Sequence, residues 1–324
     1  MSEIWFPNLG IEIEHLRKVA FTIAGKEIFM YGICMGLAVL AGVFLATILA
    51  KRTGQDPEEY IDFALYAVVV SILCARAYYV LFSWDFYSAN PSKILAFRSG
   101  GLAIYGAVIG GVLTAIVYSK VKKKNFWLLG DTAVPCLILG QMLGRWGNFF
   151  NREAFGGYTE GLFAMRLQLS QVRTSDLSQE IVDHIINVGG VDYIQVHPTF
   201  LYESLWCFAV LILLLYVTKH KKFHGQVTGL YFLGYGLGRV WIEGLRTDQL
   251  MLGSFAVSQM LSAILIVAAI VLLVVLGRKA KASVAEAGVS MAVVPNEAVS
   301  DEEMKNEIAE EKIEEAEEEP KTDK

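Results

Sequence analysis

Seven apolar runs, at about 27–50, 60–82, 101–119, 126–147, 198–218, 228–244 and 253–276, constrain this 324-residue chain more than any other feature. A helix needs about 20 residues to cross the hydrocarbon core of a bilayer, and only helices or closed barrels satisfy their backbone there. The runs therefore predict an all-α integral membrane protein with seven transmembrane helices. A content of 54% hydrophobic residues is high for a soluble domain of this length. No internal repeat relates the halves, which argues against an inverted-repeat transporter. The first 24 residues are mixed and charged, and the run after them is too long for the core of a cleavable signal.

Charge fixes the expected orientation. Four short stretches, "KR" (51–52), "KVKKK" (120–124), "KHKK" (219–222) and "RKAK" (278–281), hold 12 Lys or Arg, whereas the opposite short loops hold Lys93, Arg98 and Arg246. The positive-inside rule makes the first set cytoplasmic. The N-terminus is then expected outside, and 149–196 becomes a small extracytoplasmic head insert. Residues 1–282 are read as the membrane domain and 283–324 as a cytoplasmic tail. From 301 to the end the tail has 12 acidic and 4 basic residues, so of the total charge of −5 the rest of the chain carries +3. Such a segment is expected to be disordered. The four cysteines stand singly in apolar runs, so no metal site, disulfide framework or catalytic cysteine is expected.

Given that orientation, unusual polar residues gather toward the outer leaflet. Ionisable groups within a bilayer cost several kcal/mol unless paired or facing water, so they point to a site. In "YGLGRVWIEGLR" (235–246), Tyr235, Arg239 and Glu243 recur every four residues and share one helix face. In "GRWGNFFNREAFG" (144–156), Arg145 comes with Asn148, Asn151 and Glu153, the last able to orient a guanidinium. "HPTFLYES" (197–204) brings His197 and Glu203 to the start of the fifth run, and Tyr31 lies in the outer part of the first. Gly100 and Gly101 open the third run, where a Gly-Gly at a helix start either packs or approaches a phosphate. Two arginines from different helices in one cavity suit a phosphate, so an anionic headgroup is the expected ligand.

These blocks carry a resemblance. "GRWGNFFNREAFG" resembles, position for position, the signature of bacterial prolipoprotein diacylglyceryl transferases, and "HPTFLYES", the 235–246 block and "GGLAIYGAVIGG" (100–111) are similar to further blocks in the same order. The resemblance spans about 31–268. It implies a multi-pass enzyme of the bacterial cytoplasmic membrane with no metal or organic cofactor. Such an enzyme moves the diacylglyceryl group of phosphatidylglycerol to the lipobox cysteine thiol of an exported preprolipoprotein. The product is a thioether, and glycerol phosphate leaves. The implied partners are that lipid, the lipobox peptide and membrane lipids, with no nucleic acid. By the family's pattern Arg145, Asn148, Glu153, Gly156, Tyr31, Glu203, Tyr235, Arg239 and Glu243 carry over. Many members have a histidine where this chain has Tyr105. Tyrosine titrates near pH 10, so either Tyr105 acts as a tyrosinate near the arginines or it positions lipid while a group such as His197 takes the proton.

Other classes remain on this reading. An anion transporter or channel would use Arg145 and Arg239 as clamps but should show charged helices opening to both sides. A lipid-binding scaffold accounts for the tail but not the arginines. An intramembrane protease lacks support, since neither GxSxG nor HExxH occurs.

Overall fold

The computed structural model describes residues 3–97, 100–247, 249, 251–252 and 255–286. Arg98 and the tail from 287 onward, with the disorder expected of it, lie outside the described residues. Strands β1 (Ile4–Phe6), β2 (Ile11–Ile13), β3 (Val19–Ile23) and β4 (Lys26–Phe29) precede helix α1 (Met30–Arg52). Helices α2 (Pro57–Phe82), α3 (Trp84–Ala89), α4 (Ile104–Val121) and α5 (Phe126–Asn151) follow. An insert of β5 (Met165–Gln168), α6 (Gln179–Asp183), β6 (Ile186–Val188) and β7 (Val191–Val196) leads into α7 (Thr199–His220) and α8 (Gln226–Glu243). The hairpin β8 (Met251–Leu252) and β9 (Phe255–Ala256) then opens into α9 (Val257–Glu286).

Six of these helices, α1, α2, α4, α5, α7 and α9, are long and apolar enough to cross a membrane. Helix α8 has 18 residues at the position of the sixth apolar run and is not one of the six. Its four glycines, Arg239 and Glu243 dilute its apolar content. Many large apolar side chains on the long helices face outward, among them Leu40, Phe44, Leu65, Ile264 and Val267. In water such faces would be a liability, whereas against lipid they are satisfied.

The helix ends follow local chemistry. Asp56 accepts from the Glu58 N–H at 2.9 Å, and Pro57 occupies the first turn of α2, where its missing N–H costs nothing. The Asn125 side chain accepts from Trp127 and Leu128 at 2.9 and 3.1 Å at the start of α5. Glycines then set helix spacing. A Cβ on Gly106 would lie 2.4 Å from the Cys74 carbonyl oxygen, so α4 and α2 touch backbone to backbone. On α5, the ring of Tyr31 lies over Gly147, where a Cβ would come within 2.8 Å of it.

The all-α expectation is corrected by a five-stranded antiparallel sheet of order β2-β1-β5-β7-β6. Its register sets Ile4 opposite Leu167 and Met165 opposite Val196. Ile4, Leu167, Ile194 and Val196 are fully buried, and they pack on Phe149 at the end of α5 and Phe200 at the start of α7. The N-terminal stretch thus completes the sheet of the insert, sitting on the α5 and α7 ends that carry the polar motifs. Buried Arg152 fastens it, pairing with Glu3 at 2.5 Å and donating to the Leu16 carbonyl at 2.6 Å. Burial raises the Glu3 pKa, but the Leu16 N–H at 2.8 Å and the Arg152 charge outweigh it, and the net shift is downward.

Candidate active site

Three helices and the segment after α8 bring their charges to one point. The Glu203 carboxylate, on α7, is buried and lies 2.6 Å from Arg145 Nε of α5 and 3.1 Å from Arg239 Nη1 of α8. Arg239 reaches in the other direction to Glu243, with Nη2 2.6 Å from Oε2, an ion pair that lacks hydrogen-bond alignment. Arg246 approaches both carboxylates, 3.7 Å from Glu203 and 4.0 Å from Glu243. Ser258 of α9 donates to Glu243 Oε1, and Gln249 donates to the Glu243 carbonyl at 2.5 Å. Three guanidiniums against two carboxylates leave one positive charge in excess. Buried charges at such cost need partners, and here the partners come from separate helices. Tyr235 lies one turn below Arg239, its ring stacked on Tyr231 at 5.9 Å.

Beside the cluster, α5 ends in an abrupt reversal. Arg152 and Ala154 both take positive φ, about +57°. The turn returns Glu153 to the helix end, where Oε1 accepts from Asn148 at 3.0 Å and Asn151 at 3.1 Å. The guanidinium that Glu153 holds belongs to Arg173, at 3.3 Å, rather than to Arg145. Gly156 follows in a tight spot. A Cβ there would lie 2.7 Å from the Leu245 carbonyl oxygen and 2.8 Å from His197 Cβ. Its N–H donates to the His197 carbonyl at 2.9 Å, and Gly157 donates to Leu245 at 2.8 Å. Gly156 and Gly157 together knit the signature turn to both the start of α7 and the segment after α8.

His197 sits at this junction with Nδ1 3.3 Å from the Tyr202 hydroxyl, and burial lowers its pKa below the usual 6.5. Tyr31 reaches the same end of the bundle through its seat on Gly147. Tyr105 is placed differently. It is 40% exposed near the start of α4, with its ring 6.3 Å from Tyr78. No hydrogen bond, ion pair or ring contact among the described residues joins it to the arginine–glutamate cluster. Gly100 and Gly101 precede α4, which begins at Ile104, and both have positive φ. Their carbonyls accept from Arg76 Nη1 at 2.8 and 2.9 Å.

Sequence reasoning passed over several residues. Arg76, buried in α2, donates to five carbonyls between Lys93 and Gly101 and so ties down the whole α3–α4 connection. Asp131, buried in α5, accepts from Gly225, Thr228 and Lys221 and caps the start of α8. A lone charge within an apolar run was the available signal for both. Arg246 extends the Arg239–Glu243 stripe by three residues, a spacing that would have marked it.

Membrane-length helices with a guanidinium–carboxylate cluster at one end of the bundle define a multi-pass membrane protein with a site suited to anions. Comparison with known proteins narrows the class. The family described as prolipoprotein diacylglyceryl transferase matches residues 18–275. A protein of Bacillus cytotoxicus is 43% identical over 263 residues, covering 81% of this chain and 93% of its own length. Proteins of Bacillus cereus and Bacillus mycoides are each 42% identical over the same share. All three are named phosphatidylglycerol–prolipoprotein diacylglyceryl transferase. This chain belongs to the prolipoprotein diacylglyceryl transferase family.

Proposed function

We propose that the chain transfers the diacylglyceryl group of phosphatidylglycerol to the lipobox cysteine thiol of preprolipoproteins, the first step of bacterial lipoprotein maturation. The observation that carries this reading is the meeting of Arg145 and Arg239, from separate helices, on the single carboxylate of Glu203. Membership of the family leaves the anion transporter without support.

In the reaction the cysteine sulfur attacks the glycerol carbon that bears the phosphate. A carbon–sulfur bond forms, the carbon–oxygen bond breaks, and its electron pair leaves on the phosphate oxygen. Guanidiniums already in place stabilise that growing charge without having to reorganise. Losing one such donor costs on the order of 3 kcal/mol of barrier, about a hundredfold in rate. A free thiol titrates near pH 8.5, so the cysteine needs a proton acceptor. His197, held neutral by burial at neutral pH, takes that role, and Tyr105 positions lipid. Asn148, Asn151, Glu153 and Gly156 shape the signature turn over the donor headgroup, and Tyr31 and Tyr235 stand beside the arginines. Gly100 and Gly101 act on the lipid through the loop that Arg76 secures.

The chain spans the membrane seven times, with α8 as the sixth span, the N-terminus and the sheet outside, and the acidic tail from 283 in the cytoplasm. Basic clusters at the ends of α1, α4, α7 and α9 support this orientation, since the site residues fall at the opposite helix ends. The donor enters from the outer leaflet, and the exported peptide arrives from the same side. The test is transfer of labelled diacylglycerol from phosphatidylglycerol to a lipobox peptide by the purified protein. Label is expected on the cysteine peptide and not on its Cys→Ser version; no label on either would end the transferase reading.

A further inference from the structure

One to two turns below the charged cluster the site continues as a polar pair that the reaction above does not use. Gln141 precedes Arg145 by four residues on α5, and Tyr231 precedes Tyr235 by four and Arg239 by eight on α8. Both therefore lie on the site-facing sides of their helices, displaced by about 6 Å and about 12 Å along the axis from their arginines. Gln141 Nε2 donates to the Tyr231 hydroxyl at 3.1 Å, joining the two helices. The amide oxygen, Gln141 Oε1, is buried with no hydrogen-bond partner among the described residues. Tyr231 is itself buried. An orphaned amide oxygen in an apolar bundle is costly, and a core built only for packing would place leucine and phenylalanine here.

We propose that Gln141 and Tyr231 form a subsite for a glycerol-ester carbonyl of the donor lipid. This rests on the transferase reading. With the phosphate on Arg145 and Arg239 and the acyl chains running toward the bilayer centre, the part of the lipid reaching one turn deeper is the glycerol backbone with its ester carbonyls. A carbonyl oxygen accepts and cannot donate, and the pair can meet that demand by reversing its own bond. When the Tyr231 hydroxyl donates to Gln141 Oε1, the orphaned oxygen is satisfied and an amide N–H is freed for the ester. The lipid thereby completes the network. Its ester group, and not only its headgroup, determines how well it is held.

Steady-state transfer to a lipobox peptide would be measured with diacyl phosphatidylglycerol and with its dialkyl ether analogue, which keeps the headgroup and loses the carbonyls. For the wild type, KM for the ether lipid is expected to be about tenfold higher at similar kcat, the worth of one buried hydrogen bond. In Gln141→Leu the ester-to-ether ratio should fall to about one, while transfer from the ether lipid shows that the variant is folded. A ratio near one in the wild type, or an undiminished ratio in Gln141→Leu, would overturn the subsite. So would a Gln141→Leu defect that follows the headgroup, seen by replacing the glycerol headgroup with a methyl group, because the orphaned oxygen would then be reading hydroxyls. Failure of the wild type to transfer either lipid would instead count against the transferase reading.

Discussion

Arg239 is the residue on which the geometry asks most, because its two terminal nitrogens serve different carboxylates, Glu203 through Nη1 and Glu243 through Nη2. A lysine ammonium is a compact point charge that cannot span both. Arg239→Lys should therefore lower kcat about a hundredfold despite keeping the charge, and an activity within twofold of wild type would show that charge alone suffices. His197 offers a test by pH. Its folded-state pKa lies below the unfolded value of about 6.5, so the unfolded chain binds the proton more readily. The stabilisation is fully present above about pH 6.5 and is lost as pH falls through that range. Thermal melts should show the wild type losing Tm relative to His197→Gln between about pH 7.5 and about pH 5.5; parallel curves would contradict it. At this scale the sequence was readable wherever charge stood out against apolar surroundings. Arg145, Glu203, Arg239 and Glu243 were visible in that way, and they meet. What it could not show was pairing. Glu153 was expected to serve a guanidinium, and the one it holds is Arg173, delivered by a loop whose path no local pattern encodes.

At the scale of elements, helices were legible and strands were not, for a physical reason. Seven apolar runs announced seven helices because each helix satisfies its backbone within its own sequence. Strand β1 has only three residues, and its partner β5 lies some 160 positions away, so pairing partners are set by the fold rather than by any local period. The α2–α4 contact carries the clearest mechanical prediction. A methyl group on Gly106 would meet the Cys74 carbonyl at 2.4 Å and Ala75 Cα at 2.7 Å, both backbone atoms that cannot step aside. Gly106→Ala should destabilise the bundle by about 1–3 kcal/mol, read as a lower Tm in detergent, whereas an unchanged Tm would mean the helices are not packed this closely. Arg152→Ala should free the N-terminal strands by removing the bond to Glu3. Limited proteolysis is expected to cut within 3–29 far faster than in wild type, with the helical bundle left intact.

For the whole molecule, the sheet, the signature turn and the charged cluster lie at the same helix ends, and the basic clusters lie at the others. On the proposed reading, the lipid would enter from the membrane and the peptide from the aqueous side, without either substrate crossing the bundle. The set of long apolar helices was legible because the membrane imposes it: apolar length sets which helices can span. The role of Gly156 as the junction between three segments was not legible from spacing, since it depends on how α7 and α8 end in space.

The central claim is that Arg145 and Arg239 act as one unit on one phosphate. A double-mutant cycle on the single-turnover transfer rate, with Arg145→Ala, Arg239→Ala and the pair together, tests it most directly. Each single variant is predicted to lose about a hundredfold, and the double variant far less than the product of the two losses. Losses that simply multiply, or a wild-type rate in either single variant, would contradict the shared site.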